Sequence, residues 1–193
     1  YYSMMPKLDR WVVTELLSKI KGLDKNQGLI FAVNLSSQSI DDPKFLPFVL
    51  EAIRREGVSP QMLCFEITER LAINNLELAR KFINTLKALG CSFSLDDFGT
   101  GVSSFAYLKE LPVDYLKIDG SFIKDIATDD VGHAMVQSIN QVGQLMSLKI
   151  IAEYVENEQI INILRDMGVH YGQGYGISKP MPIKGVIEGH LKG

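Results

Sequence analysis

The chain holds 193 residues, 46% of them hydrophobic, and carries a formal net charge of -3. That is enough apolar material for one sizeable core and a single domain. Its Lys and Arg residues are spread rather than clustered, which argues against wrapping a nucleic-acid polymer or lying on a membrane as a basic amphipathic helix. No apolar run approaches a transmembrane span, and no secretory leader is expected.

The elements alternate along the chain. Apolar residues at Leu8, Trp11, Val12, Leu16 and Ile20 recur at helical spacing, and Gly22 closes that helix. Leu29–Asn34 reads as a buried strand. Asp41-Asp-Pro43 starts a second amphipathic helix, with Pro43 in its first turn, that runs to about Glu56. Leu63–Ile67 is the next strand, and a helix follows Asn75 to Leu89, stopped by Gly90. Cys91–Leu95 is a short strand that ends in adjacent carboxylates, Asp96 and Asp97. Gly99 and Gly101 then free the backbone to turn, and Ser103 and Ser104 open a helix to about Glu110.

Asp114–Ile118 reads as a strand, followed by helical stretches from about Ser121 and from Val131 to Met146. Lys149–Glu153 is a strand, Glu156–Met167 a helix, and Tyr171–Tyr175 a short glycine-rich strand, with a final helix after Pro182. Near-continuous apolar strands that alternate with helices define an α/β fold with a parallel sheet. No Gly-x-Gly-x-x-Gly opens a helix after the first strand, so a (β/α) barrel of the TIM-like kind is expected rather than a dinucleotide fold. A full barrel takes about 250 residues, and the first helix has no strand before it, so the opening strand or strands are expected to be missing from this chain.

Polar residues collect at the strand ends. Asn34, Glu66, Asp96, Lys117, Glu153 and Gln173 each fall last or nearly last in their strands, which places them at the C-terminal mouth where barrel enzymes do their chemistry. Side-chain alternation puts Asn34 with Ala32, Glu66 with Cys64, Asp96 with Ser94, and Lys117 with Tyr115, while Phe65, Phe93 and Leu95 face the helices. Two carboxylates about 4 Å apart repel by roughly 4 kcal/mol at an effective dielectric of 20. Glu66, Asp96, Asp97 and Glu153 outnumber Lys117, and hard divalent cations are the natural remedy. Carboxylates plus an amide oxygen such as that of Asn34 suit Mg²⁺, Mn²⁺ or Ca²⁺. Two such ions are the usual apparatus of phosphoester cleavage, where they clamp the phosphate and activate the attacking water.

Each residue also has a plain alternative. Asn34 could cap a loop, Glu66 could pair with Arg70, Lys117 with Glu153, and Gln173 could satisfy backbone groups. Jointly these alternatives need six strand ends to be polar for no shared reason. His133, His170 and His190 are scattered, and Cys64 and Cys91 read as reduced, buried thiols, so no zinc site is expected. Glu69, in the loop after the Glu66 strand, reads as a support for the Asp96–Ser104 loop through backbone hydrogen bonds.

These residues resemble the EAL domain, the bacterial phosphodiesterase module that opens cyclic di-GMP to linear pGpG. The likeness runs through Val33-Asn-Leu-Ser36, Phe65-Glu-Ile-Thr-Glu69, Leu95-Asp-Asp-Phe-Gly-Thr-Gly101, Leu111-Pro-Val-Asp-Tyr-Leu-Lys-Ile-Asp119, Ile151-Ala-Glu-Tyr-Val-Glu156, and Gln173-Gly-Tyr175 with Ser178-Lys-Pro-Met-Pro182. It implies a TIM-like barrel with one strand reversed, two Mg²⁺ or Mn²⁺ ions, and a cyclic dinucleotide across the mouth. It also implies that Asn34, Glu66 and Asp96 ligate metal, with Asp96 bridging, and that Asp97 and Glu153 serve the second ion. Lys117 then orients or activates the attacking water, Gln173 lines the site, and Glu69 holds the loop. The resemblance further implies homodimers through the Asp97–Ser104 loop and the following helix, upstream sensor or diguanylate-cyclase-like (GGDEF-type) modules, and a cytoplasmic location in a bacterium.

Two departures from the family pattern stand out. The glutamate of the Glu-Ala-Leu signature is expected upstream of Tyr1; Glu51-Ala-Ile53 lies mid-helix and is no substitute. Tyr154 stands where the family usually has glycine, and Val102 where it usually has tyrosine. The leading expectation is a metal-dependent cyclic di-GMP phosphodiesterase, with the chain alone short of one ligand. The alternative is a non-catalytic receptor for the same dinucleotide.

Overall fold

A computed structural model of the chain describes residues 4–25, 28–100 and 105–190. Two compact units divide between Leu116 and Lys117, and each is described by itself.

The first unit begins with helix α1 (Met5–Ile20) and strand β1 (Phe31–Asn34). Helices α2 (Ser37–Asp41) and α3 (Phe45–Glu56), strand β2 (Leu63–Thr68), helices α4 (Glu69–Asn74) and α5 (Leu76–Lys87), strand β3 (Ser92–Phe98) and the short helix α6 (Phe105–Leu108) follow. Strands β1, β2 and β3 are parallel, with Val33 opposite Phe65 and Phe65 opposite Phe93. Side chains on one face of the sheet alternate with period two, so Phe65, Ile67, Phe93 and Leu95 turn together toward the helices and are buried. Phe45 of α3 stacks on Phe82 of α5 at 6.2 Å between ring centroids, and Phe82 meets Phe93 edge-on at 6.2 Å. Such offset and edge-to-face pairs add to the gain from apolar burial.

Helix α1 turns a different face inward from the one its spacing suggests. Asp9, Val13, Leu17 and Ile20 are buried, whereas Leu8 and Trp11 are exposed. Asp9 is the reason. One carboxylate oxygen accepts the Ser36 amide at 2.9 Å, the Ser36 hydroxyl at 2.7 Å and the Ser39 hydroxyl at 2.6 Å. A buried acid satisfied this fully fixes the rotation of the helix that carries it.

The helix expected from Asp41 to about Glu56 is α3, which begins only at Phe45, so Pro43 lies in the turn before it rather than in its first turn; the short helix α2, which ends at Asp41, was not expected. Strand β1 starts at Phe31, two residues later than the apolar run. Glu69 opens α4 instead of sitting in a loop, because the Thr68 side chain accepts the Leu71 amide and caps the helix.

The second unit takes the chain on from Lys117, inside strand β4 (Tyr115–Ile118). Helices α7 (Gly120–Ile123) and α8 (Asp130–Leu145), strand β5 (Lys149–Ala152), helix α9 (Glu158–Asp166), strand β6 (Tyr171–Gly172) and helix α10 (Ile183–His190) complete it. Strands β5 and β6 are parallel, Ile151 opposite Tyr171. The core is aliphatic: Ile118, Ile123, Val136, Ile150, Ala152, Val155 and Ile160 are all buried. Asn140, buried in α8, donates to the Met167 carbonyl at 2.7 Å and ties α8 to the end of α9. The last strand is shorter than the Tyr171–Tyr175 strand expected and stops before Gln173. Among the described residues, no helix is long and apolar enough to cross a membrane.

Candidate active site

Three of the expected residues meet on neighbouring strand ends of the first unit. Asn34 is the last residue of β1 and lies opposite Glu66 of β2; Glu66 lies opposite Ser94 of β3, and Thr68 opposite Asp96. Equal side-chain parity therefore lines up the Asn34 amide and the Glu66 and Asp96 carboxylates on one face, the side opposite the phenylalanines. Asn34 is exposed and Glu66 is buried.

Strand β3 does not stop at the paired acids. It runs to Phe98, and Asp97 adopts φ 56 within it. The buried positions on the helix side go Phe93, Leu95, Phe98, one residue later than strict alternation demands. The left-handed residue absorbs the extra step, which Asp tolerates better than most side chains. Non-glycine residues held in this region cost of order 1–3 kcal/mol and cluster at functional sites.

Glu69 is buried, and its carboxylate accepts the Gly99 amide at 3.1 Å and the Tyr107 hydroxyl at 2.6 Å. The backbone hydrogen bond expected of Glu69 is present. Tyr107 was not legible, since no short spacing links residues 38 apart. Burial and the hydrogen bond to Glu69 raise the Tyr107 phenol pKa above its ordinary value. Gly101, Ser103 and Ser104, and with them most of the expected dimer loop, lie outside the described residues.

The second unit holds the other half of the expected set. Lys117, on β4, is buried, and its ammonium lies 2.7 Å from Glu153 just past β5. The Glu153 amide donates to the Ile118 carbonyl at 3.2 Å, which fixes the carboxylate beside the lysine. The plain pairing weighed for Lys117 is thus present. Gln173 is held by its backbone: its amide donates to Ala152 at 2.8 Å and its carbonyl accepts from Val155 at 3.0 Å. Gly174 follows because a Cβ there would sit 2.3 Å from the Val155 nitrogen. Glu153, Tyr154, Glu156, Gln173, Gly174 and Tyr175 line a cavity of about 300 Å³.

Cys64 and Cys91 are both buried. His170 accepts the Ile150 amide through Nδ1.

A family model, the EAL domain, matches residues 2–180. The chain belongs to the EAL domain family. It is 37% identical over 189 residues to the cyclic di-GMP phosphodiesterase PdeB of Shewanella oneidensis, covering 97% of this chain and 22% of that protein. It is 37% identical over 183 residues to the cyclic di-GMP phosphodiesterase PdeA of Borreliella burgdorferi, covering 94% of this chain and 27% of that one. The chain thus spans about a quarter of the length of these curated relatives.

Among solved structures, it is similar to the PaMucR phosphodiesterase in its c-di-GMP complex, with a TM-score of 0.85, 34% identity, and 93% of this chain and 74% of that chain covered. The EAL domain of Mycobacterium smegmatis DcpA gives a TM-score of 0.90 at 27% identity, covering 100% of this chain and 88% of that chain. EAL domains are TIM-like barrels, and the α/β fold of this chain is theirs.

Proposed function

We propose that this chain is the catalytic module of a metal-dependent phosphodiesterase that opens cyclic di-GMP to linear pGpG. One observation carries the reading: an amide oxygen and two carboxylates, Asn34, Glu66 and Asp96, stand on one face of three neighbouring parallel strand ends. That donor set is all hard oxygen, which fits Mg²⁺ or Mn²⁺. Ser94, fully buried and opposite Glu66, has a hydroxyl with no hydrogen-bond partner among the described residues, as suits a site that admits water or a hydrated ion.

In this reading Asn34, Glu66 and Asp96 would hold one such ion, and Asp96, Asp97 and Glu153 would serve the second. Bound ions of this kind supply charge neutralisation for the phosphodiester and lower the pKa of water. The chain's own residues do the rest. Lys117, held by Glu153, orients the attacking water toward phosphorus. Gln173 is read as a site-lining residue. Glu69 fixes the Gly99 turn so that Asp96 and Asp97 keep their places. The chain is further read as one EAL-type domain of a cytoplasmic protein with sensor or GGDEF-type modules, and as a homodimer through the Asp97–Ser104 loop and α6.

The test is chromatography of cyclic di-GMP incubated with the chain, and with the chain preceded by the family's Glu-x-Leu segment, in Mn²⁺, Mg²⁺ or EDTA. pGpG that appears with either ion and vanishes in EDTA supports the reading. Tight binding without turnover in every form would instead make the domain a receptor.

A further inference from the structure

Tyr154 holds a conformation that tyrosine rarely adopts. Its φ is 59, and bulky residues in that region are outliers that persist only where the surroundings enforce them. Its side chain lies directly on the Cα of Gly120: a Cβ at Gly120 would come within 2.7 Å of the Tyr154 Cβ and 3.0 Å of its ring. Glycine at 120 therefore makes the room that the tyrosine occupies. Glycine at 154 would satisfy the backbone without strain, so the ring must be accounted for by what it touches.

The residue is 55% exposed, so burial does not explain the conformation. It borders the cavity of about 300 Å³ that also takes in Glu153, Gln173 and Tyr175, and Tyr175 is exposed as well. That volume lies at the small end of ligand sites, which run from about 300 to 1,000 Å³. A rigid aromatic face beside hydrogen-bonding groups in a small cleft is suited to a flat heterocycle, because every base presents a π-face and stacking needs little else.

We propose that Tyr154 is a substrate-binding residue that stacks against one purine base of the dinucleotide, placing the adjoining phosphodiester toward Glu153. The inference rests on the phosphodiesterase reading for the identity of the ligand. The strained backbone is the cost of presenting the ring, and Gly120 is its seat.

The experiment is calorimetric titration of the protein, without added metal, with cyclic di-GMP and separately with GMP as a probe of the base face. It compares wild type with Tyr154→Phe, Tyr154→Leu, Tyr154→Gly and Gly120→Ala. Stacking is worth enough that Tyr154→Leu and Tyr154→Gly should weaken binding by about 5- to 150-fold, while Tyr154→Phe stays near wild type. Thermal melting should show Tyr154→Gly at least as stable as Tyr154→Leu, because only glycine relieves the positive φ. Gly120→Ala should weaken binding in the wild-type background but add nothing in Tyr154→Gly, the non-additivity expected of two residues in contact.

Equal affinity in wild type, Tyr154→Leu and Tyr154→Gly overturns the inference and leaves the phosphodiesterase reading standing. Absence of binding by wild type to either probe overturns the inference too, and pGpG formation with Mn²⁺ then decides the phosphodiesterase reading separately.

Discussion

Lys117 Nζ stands 2.7 Å from Glu153 Oε1, and the lysine side chain is 3% exposed while that of the glutamate is 19% exposed. A strand-end ammonium held this deeply is fixed in direction, which is what a group that aims a water molecule requires. Lys117→Met is expected to lower kcat by about 10²–10⁴-fold, the usual worth of a positioned acid–base group, with KM little changed. Methionine fills a similar buried volume, so the melting temperature should move far less than the rate. Lys117→Arg should not rescue, because a planar guanidinium cannot take the place of a compact ammonium. Steady-state kinetics and a melting curve for the two variants check this; wild-type turnover in Lys117→Met would remove the lysine from the reaction.

Asp96 and Glu69 are both acids near one loop, yet they should fail differently. Asp96 stands at the end of β3 in line with Asn34 and Glu66, whereas Glu69 holds Gly99 and Tyr107. Asp96→Asn should abolish turnover at any Mn²⁺ concentration. Glu69→Ala should lose about 10- to 100-fold, as supporting residues around metal ligands do. Equal losses in the two variants, measured at saturating Mn²⁺, would contradict that ordering.

The Tyr107 hydroxyl makes stability depend on alkaline pH. Burial, and then the hydrogen bond to Glu69, raise its pKa above the ordinary 10.0 in the folded protein. The unfolded chain therefore gives up this proton first as pH rises. The contribution is fully present below about pH 10 and is lost above it, because the unfolded state is then the one with fewer protons. Urea unfolding at about pH 8 and about pH 10.5 should show a fall in stability for wild type that is smaller in Tyr107→Phe. An identical fall in both proteins would mean the phenol is not the group responsible.

Burial also sets the Cys91 thiol. It pushes Cys91 up to about 12, so almost no thiolate exists at neutral pH. Neither cysteine should react with a thiol reagent such as DTNB in the native protein at about pH 8, and both should react promptly in denaturant. Rapid native labelling would show that the β2–β3 region opens readily.

The strand ends were legible because parity in a parallel sheet is a local rule. Asn34, Glu66 and Asp96 fell on one face of their strands from alternation alone, and the register β1–β2–β3 bears this out. The α1 face was misread because spacing weighs only apolar residues, and it is an acid, Asp9, that anchors the helix through Ser36 and Ser39. Pro43 was read as the first turn of α3 because proline favours that position, but the helix begins two residues after it. The start of α4 was missed because only the Thr68 cap marks it, and the positive φ values of Asp97 and Tyr154 leave no mark on hydrophobic pattern at all. Tyr107 meets Glu69 by tertiary folding alone.

Titration of Mn²⁺ into the protein, followed by calorimetry or by the electron-spin signal of the free ion, tests most directly whether the strand-end acids exist to hold divalent cations. Saturable binding by wild type that is lost in Asp96→Asn and weakened in Asn34→Ala is the result expected. Mn²⁺ uptake that is absent in wild type, or that survives Asp96→Asn unchanged, would contradict it.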